Sequence, residues 1–103
     1  MYDTSNGGYY TNTETSQACG SITPSATGEL IIAGVGGTRS GATAFSVSSG
    51  LSILDTVTGT SSIVPISDAY LVDSSASAIN PTWTVTAGAS DYLAATCAAF
   101  KHP

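Results

Sequence analysis

The sequence is poor in charged residues, which make up 9% of its 103 positions. Only two of them are Lys or Arg, against seven Asp or Glu, so the net charge is −5 at pH 7. Proteins that bind nucleic acid neutralise phosphates with clustered Lys and Arg side chains. This sequence has too few of these residues for that purpose, and we expect no nucleic-acid partner.

Long apolar runs are also missing. No segment approaches the roughly 18 uninterrupted apolar residues that a membrane-spanning helix needs, so we expect no membrane partner. The first seven residues contain neither the basic nor the apolar segment of a usual secretion signal, which leaves a signal that has been removed, another export route or cell lysis. Ser and Thr together account for 31 residues and Gly for 11. This composition resembles that of secreted, cell-surface and virion proteins and predicts an extracellular or virion location.

Residues for catalysis are scarce as well. Hydrolysis by a Ser-His-Asp set needs a histidine held between a nucleophile and an orienting acid. The one histidine, His102, is followed by a single residue, so we interpret it as part of a solvated tail. We interpret Asp68, Asp73 and Asp91 as solvated turn carboxylates, and Glu29 as a water-exposed residue at the start of a strand. Two cysteines cannot hold a structural zinc ion. The sequence therefore predicts no enzyme, no cofactor and no metal.

What the sequence does contain is a series of short segments rich in β-branched and aromatic residues, separated by Gly, Ser, Asn and Pro. This pattern predicts an all-β protein with six or seven short strands in an antiparallel, jelly-roll-like β-sandwich. We expect a polar N-terminal arm over residues 1–15 and a single domain over 16–103. Residues 29–35 form one segment in which the positions after Glu29 are consecutively apolar, which predicts a central strand covered on both faces.

Two further segments carry specific expectations. Residues 82–86 alternate strictly, which predicts a strand with Trp83 in the core and threonines facing water. Residues 92–101 are rich in alanine, the best helix former, so intrinsic propensity alone favours a helix. A strand of small residues that lets an opposing sheet approach closely fits the rest of the pattern better.

The sequence resembles a family of β-sandwich modules found in bacteriophage genomes and in secreted bacterial proteins. The resemblance is carried by residues 28–36 (GELIIAGVG), 83–85 (WTV) and 94–101 (AATCAAFK), and it covers residues 16–101. It implies a jelly-roll or lectin-like sandwich whose last strand ends in Phe-Lys. Such modules are about twice as long, so this chain resembles their C-terminal half.

A half-module would leave one sheet edge or face uncovered. The resemblance therefore implies that another copy of the chain, a partner subunit or the folded-back N-terminal segment completes the sandwich. Self-association into a homo-oligomer is the expected solution.

The two cysteines, Cys19 and Cys97, lie in the first and last of these predicted strands. If those strands are neighbours, a disulfide would close a large loop, stabilise the fold by roughly 4 kcal/mol and imply an oxidising environment. Two buried free thiols are the alternative, and the sequence leaves both open.

Aromatic residues supply the candidate contacts. Tyr2, Tyr9 and Tyr10 cluster in the polar N-terminal segment, and exposed tyrosines can anchor a neighbouring subunit or stack on a sugar ring. Arg39 lies in a glycine-rich loop, where it could contact a carboxylate or an assembly partner or simply solubilise the loop. The leading hypothesis is a non-enzymatic structural subunit of an extracellular assembly, such as a phage fibre, tail or decoration protein. A carbohydrate-binding module, with glycans as partners, is the alternative.

Overall fold

A computed structural model describes residues 1–38, 42–60 and 62–102, and within these residues it is built from β-strands without a helix. The strands are β1 (Tyr2–Tyr9), β2 (Ser16–Ala18), β3 (Glu29–Gly36), β4 (Ala42–Val47), β5 (Ser52–Val57), β6 (Ile66–Asp73), β7 (Thr82–Gly88) and β8 (Ala94–Phe100). All neighbouring strands are antiparallel. The predicted all-β, antiparallel sandwich is confirmed.

The strands form two sheets that pack face to face. One sheet has five strands in the order β1-β8-β3-β6-β5, and the other has three in the order β2-β7-β4. β3 is the central strand of the larger sheet, as the sequence predicts. Its residues Ile31, Ala33 and Val35 point into the space between the sheets and are buried.

Small residues on β8 let the two sheets approach each other. Ala95, Cys97 and Ala99 face the interior and are almost fully buried, while the residues between them face outward. Trp83 on β7 fills the core from the other sheet with no exposed surface, and its ring meets that of Phe45 edge-on at 6.2 Å. The strand interpretation of residues 92–101 is confirmed and the helix alternative is wrong, because these alanines form the inner face of a central strand.

A disulfide between Cys19 and Cys97 joins the two sheets. Cys19 directly follows β2, Cys97 lies on β8, and their Cα atoms are 5.9 Å apart. The pair closes a sequence separation of 78 residues. Of the two alternatives that the sequence leaves open, the structure contains the bonded one.

Three expectations need correction. The part of the chain that the structure describes forms eight strands instead of six or seven. Residues 2–9, within the predicted polar arm, form strand β1 and pair with β8 along most of their length. β3 is buried on one face only, since none of the described residues forms a further layer over the outer side of the five-stranded sheet, and Leu30 is 38% exposed there.

Of the three ways to complete the sandwich that the resemblance implies, the described residues contain one, the folded-back N-terminal segment. The accessible surface of the folded chain is 5291 Å², close to the roughly 5,400 Å² typical of a compact monomer of this mass. The folded-back N-terminal segment supplies the fifth strand of the larger sheet. The interior is therefore closed by the chain itself, and what stays uncovered is the outer surface of the five-stranded sheet.

Candidate functional site

The most distinctive surface is the outer face of the five-stranded sheet, the side turned away from the three-stranded sheet. Residues paired across neighbouring strands point to the same face, so the register places the outer side chains in four rows that cross the sheet. The first row is apolar and consists of Tyr2, Phe100, Leu30 and Val72. The fourth row, at the other end of the strands, is also apolar and consists of Tyr9, Ala94, Gly36, Ile66 and Val57.

Both apolar rows are open to solvent. Val72 is 61% exposed, Ile66 50% and Tyr9 73%. Single exposed apolar side chains are normal on soluble proteins, whereas contiguous sets mark interaction sites. The outer face therefore has the composition of a binding surface.

A depression of about 380 Å³ lies between the apolar rows. It is bordered by Phe100 and Ile32 and contains the polar groups of Ser5, Thr96 and Asp68. The two rows that cross this middle part are Ser5, Ala98, Ile32, Tyr70 and Ser52, then Gly7, Thr96, Gly34, Asp68 and Asp55.

Gly34 forms part of the floor of this depression. A Cβ placed there would meet its nearest atoms at 3.7 and 3.8 Å, which is ordinary van der Waals contact. Internal packing therefore does not require glycine at this position. The missing side chain shapes the outer surface instead.

Charge on the outer face is confined to one side. Asp55 and Asp68 are the two charged residues of the four rows, and they pair across β5 and β6. The Asp68 carboxylate accepts the backbone N–H of Asp55 at 3.1 Å, and the Asp55 carboxylate accepts that of Thr56 at 2.8 Å. These bonds occupy two consecutive backbone donors of β5, which is an edge strand.

The opposite edge strand, β1, has a different character. Its one charged residue, Asp3, forms an ion pair with Lys101 at 3.3 Å. The backbone N–H of Ser25 lowers the pKa of Asp3 most; burial opposes this, and the Ser25 hydroxyl, Lys101 and Glu29 lower it further. The N–H of Gly7 donates to Oδ1 of Asn6 at 2.8 Å. The edge of β1 thus presents backbone with little net charge.

The three N-terminal tyrosines are exposed, as a contact role requires, but they do not form one cluster. Tyr2 and Tyr9 lie at opposite ends of β1, both paired with outer-face residues of β8. Tyr2 packs edge-on against Phe100 with ring centroids 6.4 Å apart, and its hydroxyl lies 3.1 Å from Oγ of Ser5. Tyr10, 53% exposed, follows the strand. Arg39 lies outside the described residues.

Several acidic residues interpreted as solvated from the sequence are buried. Glu29 has no exposed surface, Asp91 is 2% exposed and Asp73 8%, whereas Asp68 is exposed as predicted. Each buried acid accepts bonds from a nearby turn or loop. Oε1 of Glu29, for example, accepts the N–H of Ala26 at 2.9 Å. Backbone N–H groups in these turns are shielded from water and need another acceptor. The buried carboxylates supply that acceptor.

Sequence reasoning expected an uncovered edge or face but missed that this face includes the outer side of β3. The signal was present in residues 29–35, where apolar residues occupy both faces of the strand. We interpreted this pattern as burial on both sides. In the folded chain only one side is covered, so the same pattern marks an uncovered apolar surface.

Comparisons with models of protein families, with curated proteins and with solved structures found no match. Over the described ranges, there is no group of three or more His, Cys, Asp or Glu side chains placed to hold a metal ion. The same part of the chain contains no helix long and apolar enough to cross a membrane.

Proposed function

We propose that the protein is a non-enzymatic structural subunit of an extracellular assembly, specifically a phage virion component such as a fibre, tail or decoration protein. Copies of the chain associate through the outer face and the edge of the five-stranded sheet, with the N-terminal tyrosines as anchors. The observation that carries this proposal is the pair of exposed apolar rows at the two ends of the outer face. The virion assignment rests on the sequence resemblance and on the hydroxyl-rich composition.

The size of the outer face supports a role in association. Five strands about 4.8 Å apart, with four rows of side chains at about 6.6 Å intervals, span on the order of 500 Å². The two apolar rows make up about half of this area, and exposed apolar patches of a few hundred Å² are often functional. An assembly protein can use such a surface continuously, because every copy presents the same one.

Measuring the molar mass against concentration tests the proposal. We expect sedimentation equilibrium between about 1 μM and 1 mM to give a weight-average mass that rises above 10.3 kDa. Tyr9→Glu places a charge on the outer face at the β1 edge without entering the core and is expected to lower that mass. Thr84→Glu, on the exposed face of β7, is the matched control and is expected to leave it unchanged. A wild-type protein that stays monomeric throughout overturns the proposal.

Carbohydrate binding is the second candidate, favoured by the depression on the outer face. Hydroxyl and carboxylate groups of Ser5, Thr96 and Asp68 line the depression together with Phe100, a combination that suits a sugar ring. Gly34→Val would fill the depression, since the position has room for a side chain. A glycan-array signal abolished by Gly34→Val, and weakened by Tyr9→Ala and Tyr10→Ala, favours this candidate. Absence of any signal with the folded protein rejects it.

A further inference from the structure

We infer that β1 is the edge at which two copies join, by antiparallel pairing of β1 with β1 of a second copy around a twofold axis. This inference rests on the proposed self-association and names its partner segment. The result is a continuous ten-stranded sheet whose two outer faces lie side by side. The five-stranded sheet has two edge strands, β1 and β5, and their properties differ.

The hydrogen-bonding pattern leaves backbone groups of β1 directed away from the molecule. The N–H of Tyr10, just after β1, donates to the carbonyl of Leu93, just before β8, so Tyr10 is a hydrogen-bonded position of this strand pair. The N–H of Gly7, three residues earlier, donates instead to the side chain of Asn6. Because hydrogen-bonded positions alternate along an antiparallel strand, the N–H and C=O groups of Ser5 and Tyr9 also point away from β8. Such a row of groups is a template for another extended strand.

The β5 edge is less suited to pairing. Each edge strand contains one register shift, and in each a side-chain oxygen accepts a backbone N–H of the same strand, at Gly7 in β1 and at Thr56 in β5. The two edges therefore differ in charge. Two β5 edges would bring exposed carboxylates of both copies together, which costs free energy in a chain of net charge −5. At β1 the single carboxylate, Asp3, is already paired with Lys101.

One register satisfies the free groups of β1. With Gly7 on the twofold axis, Ser5 of each copy lies opposite Tyr9 of the other, and these residues exchange four backbone hydrogen bonds. The two Gly7 residues then pair with each other, and their N–H groups transfer from Asn6 to the carbonyl of the second copy. The Tyr2 hydroxyl lies 3.1 Å from Oγ of Ser5. Tyr9 of the second copy therefore packs beside the ring of Tyr2.

The available area is sufficient for a modest dimer. Tyr2, Tyr9 and Tyr10 are each more than half exposed, and since a tyrosine buries 150–250 Å², they supply on the order of 400 Å² per copy. The backbone of an eight-residue strand adds to this. The sum approaches the lower limit of about 600 Å² per partner for a specific interface. We expect micromolar rather than nanomolar affinity.

Lysine substitutions at the two edges provide a matched test. Ser5 and Ser52 are exposed residues at the two ends of the same cross-strand row. Ser5→Lys and Ser52→Lys therefore make the same change of charge on opposite edges. We expect Ser5→Lys to weaken self-association at least tenfold in sedimentation equilibrium, and Ser52→Lys to change it less than twofold. The reverse order overturns the inference.

Disulfide trapping tests the register directly. Hydrogen-bonded antiparallel partners have Cα atoms about 5.5 Å apart, within the range a disulfide spans. A Cβ at Gly7 would meet its neighbours at 3.4 and 3.5 Å, so Gly7→Cys fits the fold. We expect Gly7→Cys to form a covalent dimer under mild oxidation and Ser52→Cys to stay monomeric on non-reducing gels. Both variants need an intact thermal transition.

The outcomes separate this inference from the proposed function. A wild-type protein that associates, while Gly7→Cys forms no cross-link or Ser52→Cys forms one, overturns β1 pairing and leaves self-association standing. A wild-type protein that is monomeric at every concentration overturns both. Efficient trapping of Gly7→Cys together with loss of association in Ser5→Lys supports both.

Discussion

The carboxylate of Asp91 accepts hydrogen bonds from both the backbone N–H and the hydroxyl of Thr38, 53 positions earlier in the chain. It also accepts the N–H groups of Ala42 at 3.2 Å and Tyr92 at 2.7 Å. A Cβ at Gly37 would lie 2.6 Å from Oδ2 of this carboxylate, so glycine is needed for the close approach. The buried carboxylate of Asp91 thus holds Thr38 and Ala42, at the two ends of the β3–β4 connection, against the segment before β8 by hydrogen bonds.

Removing this carboxylate is expected to destabilise the fold. Asp91→Ala leaves donors of Thr38, Ala42 and Tyr92 without their acceptor, and each unsatisfied buried donor costs about 1–3 kcal/mol. We expect a loss of about 2–4 kcal/mol in the free energy of unfolding, measured by urea denaturation, and a smaller loss for Asp91→Asn. Asp68→Asn, at an exposed carboxyl, is the control. An Asp91→Ala protein within about 0.5 kcal/mol of wild type would contradict this role.

Stability is expected to fall in acid. Burial raises the pKa of Asp91, but hydrogen bonds from Thr38, Ala42 and Tyr92 outweigh it, so the pKa lies below its ordinary value. A carboxyl with a lower pKa in the folded state stabilises fully above its unfolded pKa of about 3.9, and this contribution disappears as the pH falls through the folded pKa.

We therefore expect the unfolding free energy to decline from about pH 5 downwards, and Asp91→Asn to make the decline shallower. Urea denaturation at pH 7, 5, 4 and 3 measures both profiles. Equal slopes in wild type and Asp91→Asn would show that this carboxyl is not involved.

Loss of the disulfide is expected to have a large effect. Cys19 and Cys97 are 78 positions apart, and cross-linking a loop of this length stabilises a protein by roughly 4 kcal/mol in the chain-entropy description. The Cys19→Ala/Cys97→Ala double variant should lose stability of this order in chemical denaturation. Titration of the unreduced wild-type protein with a thiol reagent should find no free thiol, and two reactive thiols would refute the bridge.

The two adjacent glycines of β1 should differ in how much stability is lost when each is replaced by alanine. A Cβ at Gly8 would lie 2.8 Å from the carbonyl oxygen of Ala18 and 3.0 Å from Nε2 of Gln17, whereas Gly7 has ordinary clearance. We expect Gly8→Ala to cost about 1–3 kcal/mol through overpacking between β1 and β2, and Gly7→Ala to change stability by less than about 0.5 kcal/mol. Thermal denaturation of the pair decides, and equal stabilities would argue against this close approach.

The candidate site was only partly foreseeable. Exposure of Tyr2, Tyr9 and Tyr10 was predicted from the polar segment that contains them. The positions of Tyr2 and Tyr9 at opposite ends of a strand could not be predicted, because residues 2–9 lack the apolar alternation that identifies a strand. β1 forms since β8 offers it an edge, and no local signal reports such a partner.

The sequence by itself determined the class of the fold, the central position of residues 29–35 and the core position of Trp83. These follow from alternation and turn residues, which act over a few neighbouring positions. Only the tertiary structure decided that β1 borders β8, that Cys19 meets Cys97, that Glu29 and Asp91 are buried, and that one side of β3 stays uncovered. Each of these depends on which distant strands pair and in what register, and that is set by packing across the whole chain.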